Sequence, residues 1–346
     1  MIYSFCNDYS EGAHPAVMQA LAETNTVQTP GYGTDAYCDE ARALIRNLCG
    51  APEADIHFLV GGTQVNLVSC AAFLRPVEAV IAPCTGHPLV HETGALQATG
   101  HMVLSVPSAD GKLTPEDVRS VCAAHSSEHM VQPRLVYISN ATEIGTAYTK
   151  EELSALHNVC KELGLYIYMD GARLGNGMVS HCAPLTWTDL AASLDAFTIG
   201  GTKNGLLFGE ALVITNDALK RDYRSHMKQR GAILAKGRLL GIQFKAILEE
   251  DRYLNNARHA NDLAQTMQAG IEALGYPLMV KSPTNQIFPI LPNELLEKLQ
   301  PLYGFEVQHH TDENHTCVRF VTSWATPEEA VTEFLEHLKK LSAQEE

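Results

Sequence analysis

Between Ile56 and Ile214 short apolar runs alternate with longer stretches of mixed polarity, and this alternation constrains the fold more than any other feature of the chain. The runs Ile56-His57-Phe58-Leu59-Val60, Ala79-Val80-Ile81-Ala82, Met102-Val103-Leu104-Ser105-Val106 and Arg134-Leu135-Val136-Tyr137-Ile138-Ser139 read as buried strands. So do Leu165-Tyr166-Ile167-Tyr168-Met169, Phe197-Thr198-Ile199 and Ala211-Leu212-Val213-Ile214. Helix signals lie between them. Thr114-Pro115-Glu116-Asp117 offers a capping hydroxyl, a first-turn proline and acids at the positive end of the dipole. Thr149-Lys150-Glu151-Glu152 makes a capping box, and Gly164 closes that helix. Parallel neighbours require a crossover, so strands separated by helices predict an α/β protein with a mainly parallel sheet covered on both faces.

Around this core the chain reads in simpler pieces. His14-Pro15 open a helix through Ala16, Met18, Leu21 and Ala22. The loop Gly31-Tyr32-Gly33-Thr34-Asp35 leads into a helix with Ala43, Leu44, Ile45 and Leu48 on its apolar side, and a further helix is expected over 89–96. A basic stretch from Lys220 to Arg238 precedes one long helical pattern that runs to about Leu274 and links two domains. Strands near Gln286–Leu291, Phe305–Gln308 and Cys317–Val321, with a final helix capped at Thr326-Pro327-Glu328-Glu329, read as a smaller α+β unit. The expected division is a large domain over 1–245, with an N-terminal arm over 1–14, and a small C-terminal domain over 246–346.

Charge and composition exclude several functions. With 25 Lys and Arg against 40 Asp and Glu, the formal charge of −15 repels phosphate backbones and anionic lipid, so neither nucleic acid nor membrane is an expected partner. No apolar stretch is long enough to cross a bilayer, and Met1-Ile2-Tyr3-Ser4-Phe5-Cys6-Asn7-Asp8 lacks a basic start before an apolar core. The nine cysteines are scattered with no Cys-x-x-Cys pair, and the histidines lack a ligand pattern. Free thiols in a reducing cytoplasm are expected, without a structural metal.

The chemistry is organised around Lys203. It follows the strand Phe197-Thr198-Ile199 in a turn of small residues, Gly200-Gly201-Thr202-Lys203-Asn204-Gly205. A lysine with little bulk around it and poor solvation favours the free amine, which suits a Schiff base; the alternative is a surface lysine in a glycine turn. Upstream, the strand 56–60 ends in Gly61-Gly62-Thr63-Gln64 at a helix start, where free N–H groups and the dipole favour a phosphate. Asp170 ends another strand. Ligands of an open parallel sheet bind beyond the carboxyl ends of its strands, so a phosphate pocket, a carboxylate and an amine converge. These are the groups pyridoxal 5′-phosphate requires. Neither the Gly-x-Gly-x-x-Gly nor the phosphate-loop lysine pattern is present, which argues against a nucleotide.

Four motifs carry a resemblance over nearly the whole chain: Asp170-Gly171-Ala172-Arg173, Thr202-Lys203-Asn204-Gly205, Asn140-Ala141-Thr142-Glu143 and Val318-Arg319-Phe320-Val321-Thr322-Ser323. In these the sequence resembles the threonine aldolase family of fold-type-I pyridoxal-phosphate enzymes, and within it the low-specificity and phenylserine branch. The resemblance implies retro-aldol cleavage of β-hydroxy-α-amino acids to glycine and an aldehyde. It implies that Lys203 is the Schiff-base lysine, that Asp170 pairs with the pyridine nitrogen, and that Gly62 and Thr63 hold the phosphate. Arg173 would reach the ring hydroxyl or the substrate carboxylate, Arg319 would clamp that carboxylate, and His87 would stack on the ring as a candidate base. His91 competes for that last assignment, and the spacing to Glu92 favours His87.

The resemblance also implies a homodimer or homotetramer with shared sites, in which Lys228, Arg230 and Lys236 reach the neighbouring subunit's phosphate; a solvated basic helix face is the alternative. Three positions depart from the better-known threonine aldolases. Thr142 stands where those have a second histidine near the substrate hydroxyl, Asn7 where they have a serine, and Tyr168 where a histidine often precedes the key aspartate. A pocket without the second histidine is expected to favour bulky β-substituents. A β-eliminating lyase, an aminotransferase or a non-catalytic binder of the same fold are the rival readings.

Overall fold

The computed structural model describes residues 1–343. Its centre is a seven-stranded sheet of β1 (Asp55–Leu59), β2 (Glu78–Pro83), β3 (Val103–Val106), β4 (Gln132–Ser139), β5 (Tyr166–Asp170), β6 (Ala196–Gly200) and β7 (Glu210–Ile214). The spatial order is β1-β7-β6-β5-β4-β2-β3, and only β7 runs against the others. Both faces are buried, as a parallel sheet between helices requires. Alternate residues enter separate cores: Ile81, Val136, Ile138, Ile167 and Met169 on one side, and Val80, Ala82, Leu135, Tyr137 and Tyr168 on the other.

The strand ends are packed tightly where the site will form. A Cβ built on Gly171, just past β5, would stand 1.9 Å from the Thr198 carbonyl oxygen of β6. Only glycine lets those two strand ends close up.

A third core is formed mostly by residues from Leu263 to Leu338, yet it includes Phe5, which is fully buried. Tyr3–Ser4 pair in parallel with Tyr303–Gly304, so the N-terminal arm packs with the C-terminal unit. Around that core, His315–Val321 pairs antiparallel with Ile290–Pro292 on one side and Glu306–His310 on the other.

Several expected elements differ. The long helix is two helices, Arg238–Leu248 and Arg252–Ala273, parted at Glu250 and Asp251 with φ of 55° and 57°. Neither residue is glycine or proline, so nothing local announced the break. The expected helix over 89–96 shrinks to one turn, His87–Val90. In Ala36–Cys49 the buried stripe is Cys38, Ala41, Ile45 and Cys49, which leaves Ala43 exposed because the apolar spacing allowed two registers. Thr326 does not cap Glu328–Ser342; its hydroxyl accepts the Ser323 N–H at 2.8 Å. No helix among the described residues is long and apolar enough to cross a membrane.

Candidate active site

The carboxyl ends of the parallel strands and the amino end of β7 surround a cavity of about 390 Å³. Gly62, Thr63, His87, Asp170, Arg173 and Lys203 all line it. They come from segments far apart in sequence, brought together because each follows or ends a strand of one sheet.

The helix Gly62–Phe73 starts at Gly61 without a side-chain cap. A Cβ built on Gly61 or Gly62 would meet no heavy atom within 4 Å, so the backbone there borders open space at a helix start that suits an anion. Asp170, 5% exposed, is met only by donors: Asn66 Nδ2 at 2.9 Å and Tyr137 Oη at 2.7 Å on Oδ2, and the Ala172 N–H at 2.9 Å on Oδ1. Burial first, and then the Asp170 charge, push the Tyr137 hydroxyl well above its ordinary pKa, so it remains a donor. Held this way, the carboxyl keeps lone pairs for one further N–H.

Lys203 is half-buried, and its Nζ lies 5.9 Å from the centre of the Tyr9 ring. Burial and then the Arg173 charge lower its pKa, against the pull of Asp8, Asp170 and Glu210. That shift favours the nucleophilic amine. A poorly solvated amine, a carboxyl open to an N–H donor and an uncapped glycine-lined helix start fit the amine-reactive aldehyde, the protonated ring nitrogen and the phosphate of pyridoxal 5′-phosphate.

Arg173 is gripped by a residue that sequence reasoning missed. Its Nε and Nη2 donate to Asp8 at 2.7 and 3.0 Å, and Asn285 Nδ2 adds a bond to Asp8 at 2.9 Å. Burial alone would raise the Asp8 pKa, but Arg173 and Lys203 hold it below the ordinary carboxylate value. Arg319, on His315–Val321, donates to Gln286 at 3.2 Å and pairs with Glu306, while its Nε is buried without a partner. Its pKa is lowered by burial and then by the charge of Arg173. Arg319 is not among the residues that line the cavity, and both guanidiniums already pair with a carboxylate, Arg173 with Asp8 and Arg319 with Glu306.

The other expected residues lie elsewhere. Thr142 is fully buried with its hydroxyl tied to Thr146 at 2.8 Å, and it is Glu143, next in the chain, that lines the cavity. Glu143 accepts the His87 N–H at 2.9 Å and the Ser139 hydroxyl at 2.7 Å, and burial raises its pKa. Asn7 holds a turn by accepting the Tyr9 N–H at 2.9 Å, and Tyr9 is the residue in the cavity wall. Lys236 is exposed in a separate hollow with Asn25 and Arg238. Glu210 was also missed. It starts β7 opposite Gly200 and lines the cavity, and its pKa is raised well above the ordinary value by burial and then by Asp170. Its signal was the direction of one strand, which no local pattern carries.

Comparison with known proteins gives the family and the fold. The sequence model of the family described as beta-eliminating lyase matches residues 7–293. A low specificity L-threonine aldolase of Pseudomonas aeruginosa is 32% identical, over 97% of this chain and 96% of its own. The structure of a Leishmania major threonine aldolase superposes with a TM-score of 0.97 at 47% identity, covering 98% of this chain and 99% of that one. An aspartate aminotransferase of Thermus thermophilus shares the fold alone, with a TM-score of 0.70 at 15% identity over 99% of this chain and 91% of its own.

Proposed function

This chain belongs to the beta-eliminating lyase family, and we propose that it is a pyridoxal-phosphate-dependent aldehyde-lyase that cleaves β-hydroxy-α-amino acids such as L-threonine to glycine and an aldehyde. The observation that carries this reading is the meeting of Lys203, Asp170 and Arg173 in the wall of one cavity.

Lys203 would hold the cofactor through its amine. The first-turn amides at Gly62 and Thr63 would hold the phosphate, and Asp170 would keep a proton on the ring nitrogen. Bound there, the ring supplies a sink for the electron pair released when the Cα–Cβ bond breaks. Arg319 would fix the α-carboxylate by its two forked N–H groups, with Arg173 beside it, and so decide which bond at the α-carbon is set for cleavage. His87 would take the β-hydroxyl proton; the O–H electron pair becomes the second bond of the aldehyde carbonyl, and the pair of the broken Cα–Cβ bond stays with the α-carbon, which gains a proton to become glycine. His87 rather than His91 lines the cavity.

Incubation of the cofactor-loaded protein with L-threonine, L-allo-threonine and phenylserine is expected to give glycine and aldehyde in equal amounts, with phenylserine fastest because no second histidine occupies the side-chain pocket. Ammonia with a 2-oxo acid would instead mark elimination, and a flat rate across the three substrates would remove the preference for bulky side chains.

A cytoplasmic homodimer or homotetramer belongs to the same reading. Lys236, which lies away from its own cavity, and Lys228, 5.0 Å from the Tyr32 ring centre, are the cations proposed to serve a second copy's phosphate. Light scattering that returned a monomer at assay concentration would rule this out.

A further inference from the structure

Two buried acids stand on either side of one amide. Asn66 Nδ2 donates to Glu92 Oε1 at 2.7 Å and to Asp170 Oδ2 at 2.9 Å, and Asn66 Oδ1 accepts the Tyr168 hydroxyl at 2.8 Å. Asn66 is 2% exposed and the Glu92 side chain has no exposed surface. Turning the amide over would aim its carbonyl at two carboxyl groups, so its orientation is settled by its partners. Burial, and then Asp170, keep Tyr168 well above its ordinary pKa and therefore a donor.

The same Glu92 Oε1 lies 2.8 Å from His87 Nδ1, while Glu92 Oε2 has no partner. A carboxylate oxygen that already receives the Asn66 N–H acts as acceptor toward the imidazole as well. The ring hydrogen therefore sits on Nδ1, and Nε2 is left as the atom able to take a proton. We infer that Glu92 is a positioning residue for bond cleavage, holding His87 in the tautomer that accepts the substrate's proton, and that Asn66 joins this pair to Asp170.

The reaction in this inference rests on the aldolase reading; the arrangement of the pair does not. Other charged or titratable groups also face His87. Glu143 binds its backbone N–H, the His91 ring centre is 5.3 Å away, and Lys203 and Arg173 line the same cavity. Asp170 lines that cavity too and is joined to the pair through Asn66. Among the described residues Glu92 alone contacts the ring by a hydrogen bond, so it alone selects the tautomer. When Nε2 gains the proton, the buried carboxylate offsets the new charge at no cost of rearrangement.

The test begins on the parent protein without cofactor or substrate, labelled with ¹⁵N-histidine, the His87 signals being assigned by their loss in His87→Asn. At a pH where the ring is neutral, the hydrogen is expected on Nδ1; a hydrogen on Nε2 overturns the inference. In the cofactor-loaded enzyme Glu92→Gln is expected to lower kcat by about 10²-fold with KM changed by less than about threefold. Glu92→Asp, which keeps the carboxylate, is expected to recover at least about a tenth of the lost activity. Equal kcat in the parent and Glu92→Gln would also overturn it. Should Nδ1 carry the hydrogen while threonine yields no aldehyde, the aldolase reading fails and the His87–Glu92 pair stands.

Discussion

Lys203→Ala is expected to lower turnover of threonine by about 10⁴-fold while leaving the protein at least as stable as the parent. The two halves of this expectation have one cause. The Lys203 amine is half-buried, makes no ion pair within 4 Å among the described residues, and is kept from its ordinary pKa by burial and by the neighbouring Arg173. Such a group costs folding free energy, and removing it relieves that cost together with a like-charge contact. The Tyr9 ring, 5.9 Å away, loses only a weak cation contact. Calorimetry should therefore show an unlowered Tm for Lys203→Ala in the absence of cofactor. The loaded parent is expected to carry a visible absorption that survives dialysis, and the variant to lose it. A variant that kept a tenth of the parent activity would sink the assignment of Lys203.

Asp170→Ala has the opposite signature in stability and a comparable one in activity. On the proposed assignment, loss of the carboxylate would leave the ring nitrogen without its proton-holding partner, and a fall in kcat of about 10³-fold is expected. It also strands the Tyr137 hydroxyl, one Asn66 N–H and the Ala172 N–H, all of which donate to Asp170. A buried donor without an acceptor costs about 1–3 kcal/mol, so the variant should unfold at lower denaturant than the parent even without cofactor. Asp170→Asn separates the two effects. One amide oxygen still serves Tyr137, which restores part of the stability, while activity stays low because an amide cannot hold the ring proton. Recovery of activity in Asp170→Asn would contradict the assigned role.

The strands were legible because apolar runs bounded by turn residues survive any tertiary context, and the groups at their ends could be placed on one edge once the sheet was taken as parallel. Gly62, Asp170 and Lys203 meet at one cavity for that reason. What was not legible depended on long-range pairing. Glu210 stood unremarked just before the expected strand Ala211–Ile214; only the reversed direction of β7 carries it to the carboxyl edge of its neighbours. Asp8 looked like one polar residue in a turn, and its meaning comes from Arg173 and Asn285. The Glu92–Asn66–Asp170 chain joins three segments whose spacing follows no period. The break at Glu250 and Asp251 lacked glycine and proline, so propensity pointed to a continuous helix.

The docking of the N-terminal arm sets an order of events during synthesis. The two cores of the central sheet use no residue later than Leu254, so that body has all its parts before most of the third core is made. The arm does not. Tyr3–Ser4 wait for Tyr303–Gly304, and the Asp8 grip on Arg173 waits for Asn285. Tyr3 and Ser4 are made early and find their places late, and a contact of such sequence separation forms slowly. On this order Arg173 is aimed only after Asn285 has been made, so a chain cut before that point would present Lys203 and the glycine-lined helix start with the arginine still loose.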